Sequence, residues 1–207
     1  MSNVETSNTT VLQTLIVEVE KVVTRGTPVL IAIDGNCGSG KTFYAGQLAK
    51  HFCASLVHCD DFFLPRELRT EERLAEVGGN IHYERLRDLL LQLKNQRVDV
   101  DGKKTKQYFS YMAYDCATDT LKEITQARSN VVIVEGSYAL HPTLAEFYDL
   151  KILFTVDAQT QRERLAKREG ERIADFVNKW IPLENRYFAT LNTTDCVVID
   201  TSKHEKY

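Results

Sequence analysis

The chain has 207 residues, 43% of them hydrophobic and 27% charged, which suits one globular domain with a core of its own. A formal net charge of -3 offers no basic footprint for DNA or RNA, so a nucleic-acid partner is not expected. Apolar runs such as Val29-Leu30-Ile31-Ala32-Ile33 are too short to cross a bilayer, the start lacks a basic-then-apolar leader, and five cysteines without a CxxC pair suggest neither a disulfide framework nor a zinc site. A cytoplasmic protein with no membrane partner is the expectation.

Residues 1–9 are rich in Ser, Thr and Asn and are expected to be disordered, leaving 10–207 as a single domain. The spacing of Leu12, Leu15, Ile16 and Val19 predicts a helix over about 10–24, ended by Gly26. Residues 29–33 read as a strand buried on both faces, and the helix after them carries Tyr44, Ala45, Leu48, Ala49 and Phe52 as its inner stripe. A strand is expected over 55–59, an amphipathic helix around Leu86, Leu89, Leu90 and Leu93, and strands over 131–134 and 152–156. A helix over 158–168 follows, then a helical stretch from Ile173 to Leu191 that Pro182 breaks or kinks, and a closing strand over 196–199. Residues 96–119 are the least regular and are expected to form a hairpin or loop on the substrate side. Within them Tyr108, Tyr111 and Tyr114, spaced by three, also fit a helical core stripe. Strands alternating with helices predict a three-layer α/β/α fold with a mostly parallel five-stranded sheet.

The strongest motif is Gly35-Asn36-Cys37-Gly38-Ser39-Gly40-Lys41-Thr42, a match to G-x-x-x-x-G-K-[ST] that follows a predicted strand and opens a predicted helix. Its glycines let backbone N–H groups turn toward phosphates at the positive end of a helix dipole. Lys41 would reach the β- and γ-phosphates and the Thr42 hydroxyl would ligate Mg²⁺. Cys37 fits a tight loop as a small residue, and a helix N-terminus also lowers thiol pKa values, which makes redox sensitivity the alternative.

Ligands of open α/β sheets bind beyond the carboxyl ends of the strands, where this chain repeatedly places acids. Asp60 and Asp61 follow the second strand, Glu135 the third and Asp157 the fourth. Phosphoryl transfer needs a group to orient or deprotonate the attacking hydroxyl and carboxylates for the metal, so one of the Asp60–Asp61 pair and Glu135 are candidates. Asp157 reads as a helix cap. In the charge-dense 161–169 segment, helical spacing puts Arg164 and Arg168 on one face, suited to closing over a phosphoryl group or to a solvated surface. Arg172, beyond Gly170, is a further candidate.

Together with Trp180-Ile181-Pro182-Leu183-Glu184 and Tyr187-Phe188, these motifs resemble the uridine kinase-like branch of P-loop kinases over about 28–199. Its relatives include phosphoribulokinase, nicotinamide riboside kinase and bacterial pantothenate kinase. The resemblance implies an ATP- and Mg²⁺-dependent phosphotransferase acting on a hydroxyl of a nucleoside-like or sugar-like small molecule. It also implies a helical lid over about 159–174. Asp60, in Cys59-Asp60-Asp61-Phe62-Phe63, matches the family's catalytic base and a metal contact. Glu135 of Glu135-Gly136 matches a metal or substrate contact, and Arg164 and Arg168 match the lid arginines. Met112-Ala113-Tyr114-Asp115 matches the P-x-Y-D substrate motif with Met in place of Pro, implicating Tyr114 and Asp115. The family's acidic sugar-binding segment has no counterpart around Gly78–His82, so pantothenate, glycerate or a sugar phosphate stands as an alternative acceptor to uridine. A GTPase would need N-K-x-D, and Asn178-Lys179-Trp180-Ile181 lacks the Asp. A non-catalytic nucleotide-binding module is the other rival, opposed by the intact Lys41, Thr42, Asp60 and Glu135. The sequence leaves a homo-oligomer open.

Overall fold

The computed structural model describes residues 2–23, 28–95 and 107–203. Among the described residues seven strands form, in chain order β1 (Val29–Gly35), β2 (Ser55–His58), β3 (Tyr108–Asp115), β4 (Thr120–Ala127), β5 (Val131–Glu135), β6 (Leu150–Thr155) and β7 (Cys196–Asp200). Five of them make one sheet in the order β2-β5-β1-β6-β7, and every neighbouring pair is parallel. β3 and β4 pair separately as an antiparallel hairpin. The helices are α1 (Ser2–Val22), α2 (Lys41–Phe52), α3 (Glu71–Ala75), α4 (Tyr83–Asn95), α5 (Ala158–Glu169), α6 (Ile173–Asp175) and α7 (Ile181–Phe188).

Alternation along β1 explains the three layers. Val29, Ile31 and Ile33 join Val131, Ile133, Ile152 and Phe154 in a core shared with Leu15 and Val19 of α1 and with Tyr44, Ala45 and Leu48 of α2. Leu30 and Ala32 point the other way, into a core with Val132, Val134, Leu86, Leu89, Leu90 and Leu93 of α4 and Phe109 and Tyr111 of β3. Both faces are covered, which is why the strands are continuously apolar. Leu86, Leu90 and Leu93 are fully buried, and burying each stabilises by about 1.5–3 kcal/mol. Among the described residues no helix is long and apolar enough to cross a membrane.

Three expectations change. α1 starts at Ser2, so residues 2–9, expected to be disordered, extend the helix. Adding a polar turn to a nucleated helix costs far less than starting one. The expected stop at Gly26 lies outside the described residues, as do 96–106 of the irregular stretch. The rest of that stretch is the β3–β4 hairpin, so the tyrosine stripe follows strand geometry, with Tyr111 turned inward onto Phe62 at 5.3 Å and Tyr108 exposed. Pro182 leaves the helical run continuous but changes its pitch. The turn before it, Phe176–Trp180, is a π turn closed by Ile181 N–H on the Phe176 carbonyl, since Pro182 has no N–H to continue the ladder.

Candidate active site

A cleft of about 1020 Å³ opens beyond the carboxyl ends of β1, β2 and β5, and Lys41, Thr42, Asp60, Glu135, Arg168 and Arg172 all border it. Its floor is the 35–42 loop. Gly35 packs against β6 so closely that a Cβ there would lie 2.3 Å from the Phe154 carbonyl oxygen, and its φ of 152° disfavours any L side chain. From behind, three successive loop carbonyls are held. Gln161 Nε2 donates to Cys37 O at 2.9 Å, Arg164 Nη1 to Gly38 O at 3.0 Å, and Thr201 Oγ1 to Ser39 O at 2.9 Å. With these carbonyls drawn outward, the N–H groups of Gly38 and Gly40 make no backbone bond among the described residues, which is the cradle the motif requires. Lys41 Nζ donates to Asn36 O at 3.3 Å across the mouth of the loop. The Cys37 thiol is buried, and burial followed by the Glu184 charge pushes its pKa up to about 12, so the small-residue reading fits and a reactive thiolate does not.

Glu135 is 4% exposed and ties β2 and β5 to the loop. Its Oε2 accepts from Thr42 Oγ1 at 3.0 Å and its Oε1 bonds His58 Nδ1 at 2.6 Å. That bond holds His58 above the usual histidine pKa. Gly136 allows this convergence, because a Cβ on it would stand 2.7 Å from the Cys59 Cβ. Asp60 lies in a short 3-10 turn, Cys59–Phe62, with its side chain toward the cleft. Desolvation there raises its pKa and Glu135 adds to the rise, while Lys41 opposes it. Asp61 is spoken for: Tyr111 donates its hydroxyl to Asp61 Oδ2 at 2.8 Å, and Arg85 Nη2 holds the Asp61 carbonyl at 3.1 Å. The turn therefore gives the two aspartates different tasks. Oxygen donors on Thr42, Glu135 and Asp60 suit Mg²⁺, which takes one or two carboxylates plus nucleotide phosphates and needs no all-protein cage. Among the described residues no cluster of three or more metal-binding side chains stands alone.

The arginines separate. Arg168 borders the cleft, its guanidinium 5.7 Å from the Phe176 ring centroid and its Nε on Glu169 at 2.7 Å, and Arg172 joins it through the other oxygen of Glu169 at 2.6 Å. Arg164 does not border it. Besides Gly38 O it donates to Thr201 O at 2.7 Å, fastening α5 and the residue after β7 to the back of the loop. Helical spacing put Arg164 and Arg168 on one face, but one turn of helix carries the second past the loop's edge. Tyr114 and Asp115, expected to contact substrate, sit at the hairpin end instead. The Tyr114 hydroxyl donates to Asp119, and Asp115 Oδ1 accepts from Ala117 N–H at 2.8 Å and Thr118 N–H at 3.3 Å. Their neighbour Cys116 borders the cleft. Asp157 caps α5, accepting from the Gln159 and Thr160 N–H groups at 2.9 Å.

Two residues of this site were not among the candidates drawn from the sequence. Asp34, at the end of β1, is fully buried and accepts from Gly35 N–H at 2.6 Å, Leu140 N–H at 2.8 Å, Tyr138 N–H at 3.2 Å and the Tyr187 hydroxyl at 2.6 Å. Burial lifts its pKa to about 6 despite these donors. Glu184, one turn before Tyr187 on α7, accepts from Cys37 N–H at 2.9 Å and Ser137 Oγ at 2.6 Å. The signal available was an acid interrupting an otherwise apolar strand, and Glu184 and Tyr187 at i, i+3 on one face of α7.

No family model matches the chain. Among curated proteins it is similar to a uridine kinase of Clostridium perfringens, 24% identical over 193 residues that cover 86% of this chain and 90% of the relative. It is also similar to a uridine kinase of Saccharomyces cerevisiae, 27% identical over 165 residues, 74% of this chain and 32% of that longer protein. Among solved structures, one described as a possible uridine kinase from Bacillus stearothermophilus superposes with a TM-score of 0.66 at 21% identity, covering 93% of this chain and all of that one. A D-glycerate 3-kinase from Cryptococcus neoformans gives 0.55 at 15% identity, covering 99% and 97%. The fold is that of the P-loop kinases, three-layered α/β/α about a parallel five-stranded sheet.

Proposed function

We propose that this chain, similar to uridine kinases in sequence and a P-loop kinase in fold, is an ATP- and Mg²⁺-dependent kinase. It would transfer the γ-phosphoryl group to a hydroxyl of a nucleoside-like or sugar-like small molecule. The observation that carries the reading is the convergence of Lys41, Thr42, Asp60, Glu135 and Arg168 on one cleft beyond the strand ends, although they come from four separate segments. The loop N–H groups and Lys41 bind the phosphates of ATP. Mg²⁺, held by Thr42 with Glu135 and Asp60, would supply charge neutralisation between the phosphates. Asp60 orients the acceptor hydroxyl and takes its proton. Its raised pKa favours that role, since a base closer to neutrality both accepts and later releases a proton more readily. Arg168, with Arg172 beside it, offsets the charge that spreads over the equatorial oxygens as the group moves.

The test is coupled ADP release with Mg-ATP against uridine, cytidine, nicotinamide riboside, pantothenate, ribulose 5-phosphate and D-glycerate. Acceptor-stimulated release with one of them supports the reading. ATP binding without release for any of them favours a non-catalytic nucleotide-binding protein.

A further inference from the structure

Two hydrogen bonds fix both oxygens of Glu135 in the free protein. Thr42 Oγ1 lies 3.0 Å from Oε2, and His58 Nδ1 lies 2.6 Å from Oε1. The Thr42 bond joins two residues that border the cleft, whereas His58 does not border it. His58 ends β2, at the edge of the sheet, and stands opposite Glu135 in the parallel pairing with β5. Its ring is half-exposed, while the carboxylate it meets is buried. A carboxylate only accepts, so Nδ1 carries the proton and has no lone pair to offer a cation. His58 is therefore no ligand through that nitrogen, and it reaches the cleft through Glu135. The strand pairing does not call for this bond. Ser55, Leu56 and Val57 hold the register against Val132, Ile133 and Val134, with Val57 fully buried. A half-exposed position at a strand end tolerates many side chains, so pairing alone gives no reason for a histidine. What the imidazole adds is orientation. One hydrogen bond leaves the plane of a carboxylate free to turn, and a second on the other oxygen stops it. Partners that orient a ligating carboxylate in this way are worth about 10- to 100-fold in metal affinity.

We propose that His58 is a positioning residue, which holds the Glu135 carboxylate in the plane that serves Thr42 and a divalent cation. This rests on the kinase reading above, through the metal site that reading gives to Glu135. The experiment titrates Mn²⁺, followed by electron paramagnetic resonance, into the full chain saturated with ADP, and repeats it with His58→Ala and His58→Asn. ADP binding in EDTA and the Tm are measured for all three proteins. In His58→Ala the Mn²⁺ Kd rises about tenfold, while ADP binding in EDTA stays within about twofold. His58→Asn returns the Mn²⁺ Kd to within about threefold of the wild type, because its amide N–H can take the place of Nδ1–H. A merely structural histidine would lower the Tm and weaken ADP binding with and without the cation alike. An unchanged Mn²⁺ Kd in His58→Ala overturns the proposal, and so does an equal loss of ADP binding in EDTA. Failure of His58→Asn to restore the Kd overturns it as well, since the hydrogen bond would then not be what matters. All three results leave the kinase reading standing. A wild-type chain that binds neither ADP nor Mn²⁺ with ADP overturns that reading, and the positioning role falls with it.

Discussion

On the P-loop side of the cleft, the carbonyls of Cys37, Gly38 and Ser39 are each bonded from behind, and Thr42 and Glu135 are bonded to each other. On the opposite wall, Tyr138 and Asn80 turn their polar atoms toward each other, and Arg69, whose Nε donates to the Leu64 carbonyl at 2.7 Å and whose guanidinium lies 5.7 Å from the Tyr114 ring centroid, borders the cleft. One side is fixed through its backbone carbonyls, and the other is built of side chains. Backbone phosphate recognition is common to all P-loop proteins, so it can be built rigid. On the kinase reading proposed above, acceptor recognition would differ between relatives and would fall to the side chains of this wall.

The largest effect that would sharpen this contrast is chemical. Asp60→Asn keeps the shape of the side chain and removes the proton acceptor. We expect kcat to fall about 10²- to 10⁴-fold with Mg-ATP binding retained. Near-normal turnover would take Asp60 out of the role and erase the division of labour between it and Asp61, which Tyr111 already engages.

Asp34 joins the two sides, because it bonds the first glycine of the loop and the Tyr138 backbone at once. Its folded pKa of about 6 lies above its ordinary 3.8, so the native state binds the extra proton between those values. The stability it contributes is fully present below pH 3.8 and is lost as pH rises through about 6, a change on the order of 3 kcal/mol. Asp34→Asn removes that titration. Urea denaturation at pH 4 and pH 7 should therefore show the variant closing on the wild type by about that amount as pH rises. A constant difference across the range would mean that Asp34 does not titrate in this window. Asn cannot accept from all four donors, so the variant is less stable at every pH.

How legible was each side? The loop was readable because its chemistry belongs to backbone and its spacing is contiguous; Lys41 and Thr42 lie where G-K-[ST] puts them. The inner sheet strands were readable for a related reason, since burial on both faces leaves runs such as 131–134 without a polar interruption. The opposite wall was not. It is assembled from segments far apart in the chain, and the pairs that tie α7 to the loop and to β1, Cys37 with Glu184 and Asp34 with Tyr187, span 147 and 153 residues. Periodicity sees neighbours on one element, never partners across elements. The same limit explains Arg164: its helical face was right, and only the docking of α5 decides which arginine passes behind the loop.

Arg164 and Arg168 give a smaller test. Arg164→Ala removes bonds to two backbone carbonyls, and we expect a stability loss of about 1–3 kcal/mol with weaker Mg-ATP binding. Arg168→Ala should leave stability within about 0.5 kcal/mol and lower kcat roughly tenfold or more. Equal kinetic losses with no change in Tm for either would restore Arg164 to the lid and blur the line between the two walls.

The smallest effect concerns Asp115, where the resemblance and the geometry disagree. A substrate role would make Asp115→Ala costly to kcat/KM. The geometry assigns its carboxylate to the N–H groups of Ala117 and Thr118, bonds that also hold its pKa below the usual carboxylate range. The turn is exposed, so truncation should lower stability only slightly and leave the acceptor KM nearly unchanged. Because Cys116 beside it does border the cleft, a loosened turn predicts a mild rise in KM that Asp115→Asn reverses, since Asn makes the same turn. If Asn fails to restore what Ala loses, the charge itself is needed, and the hairpin belongs to the acceptor site after all.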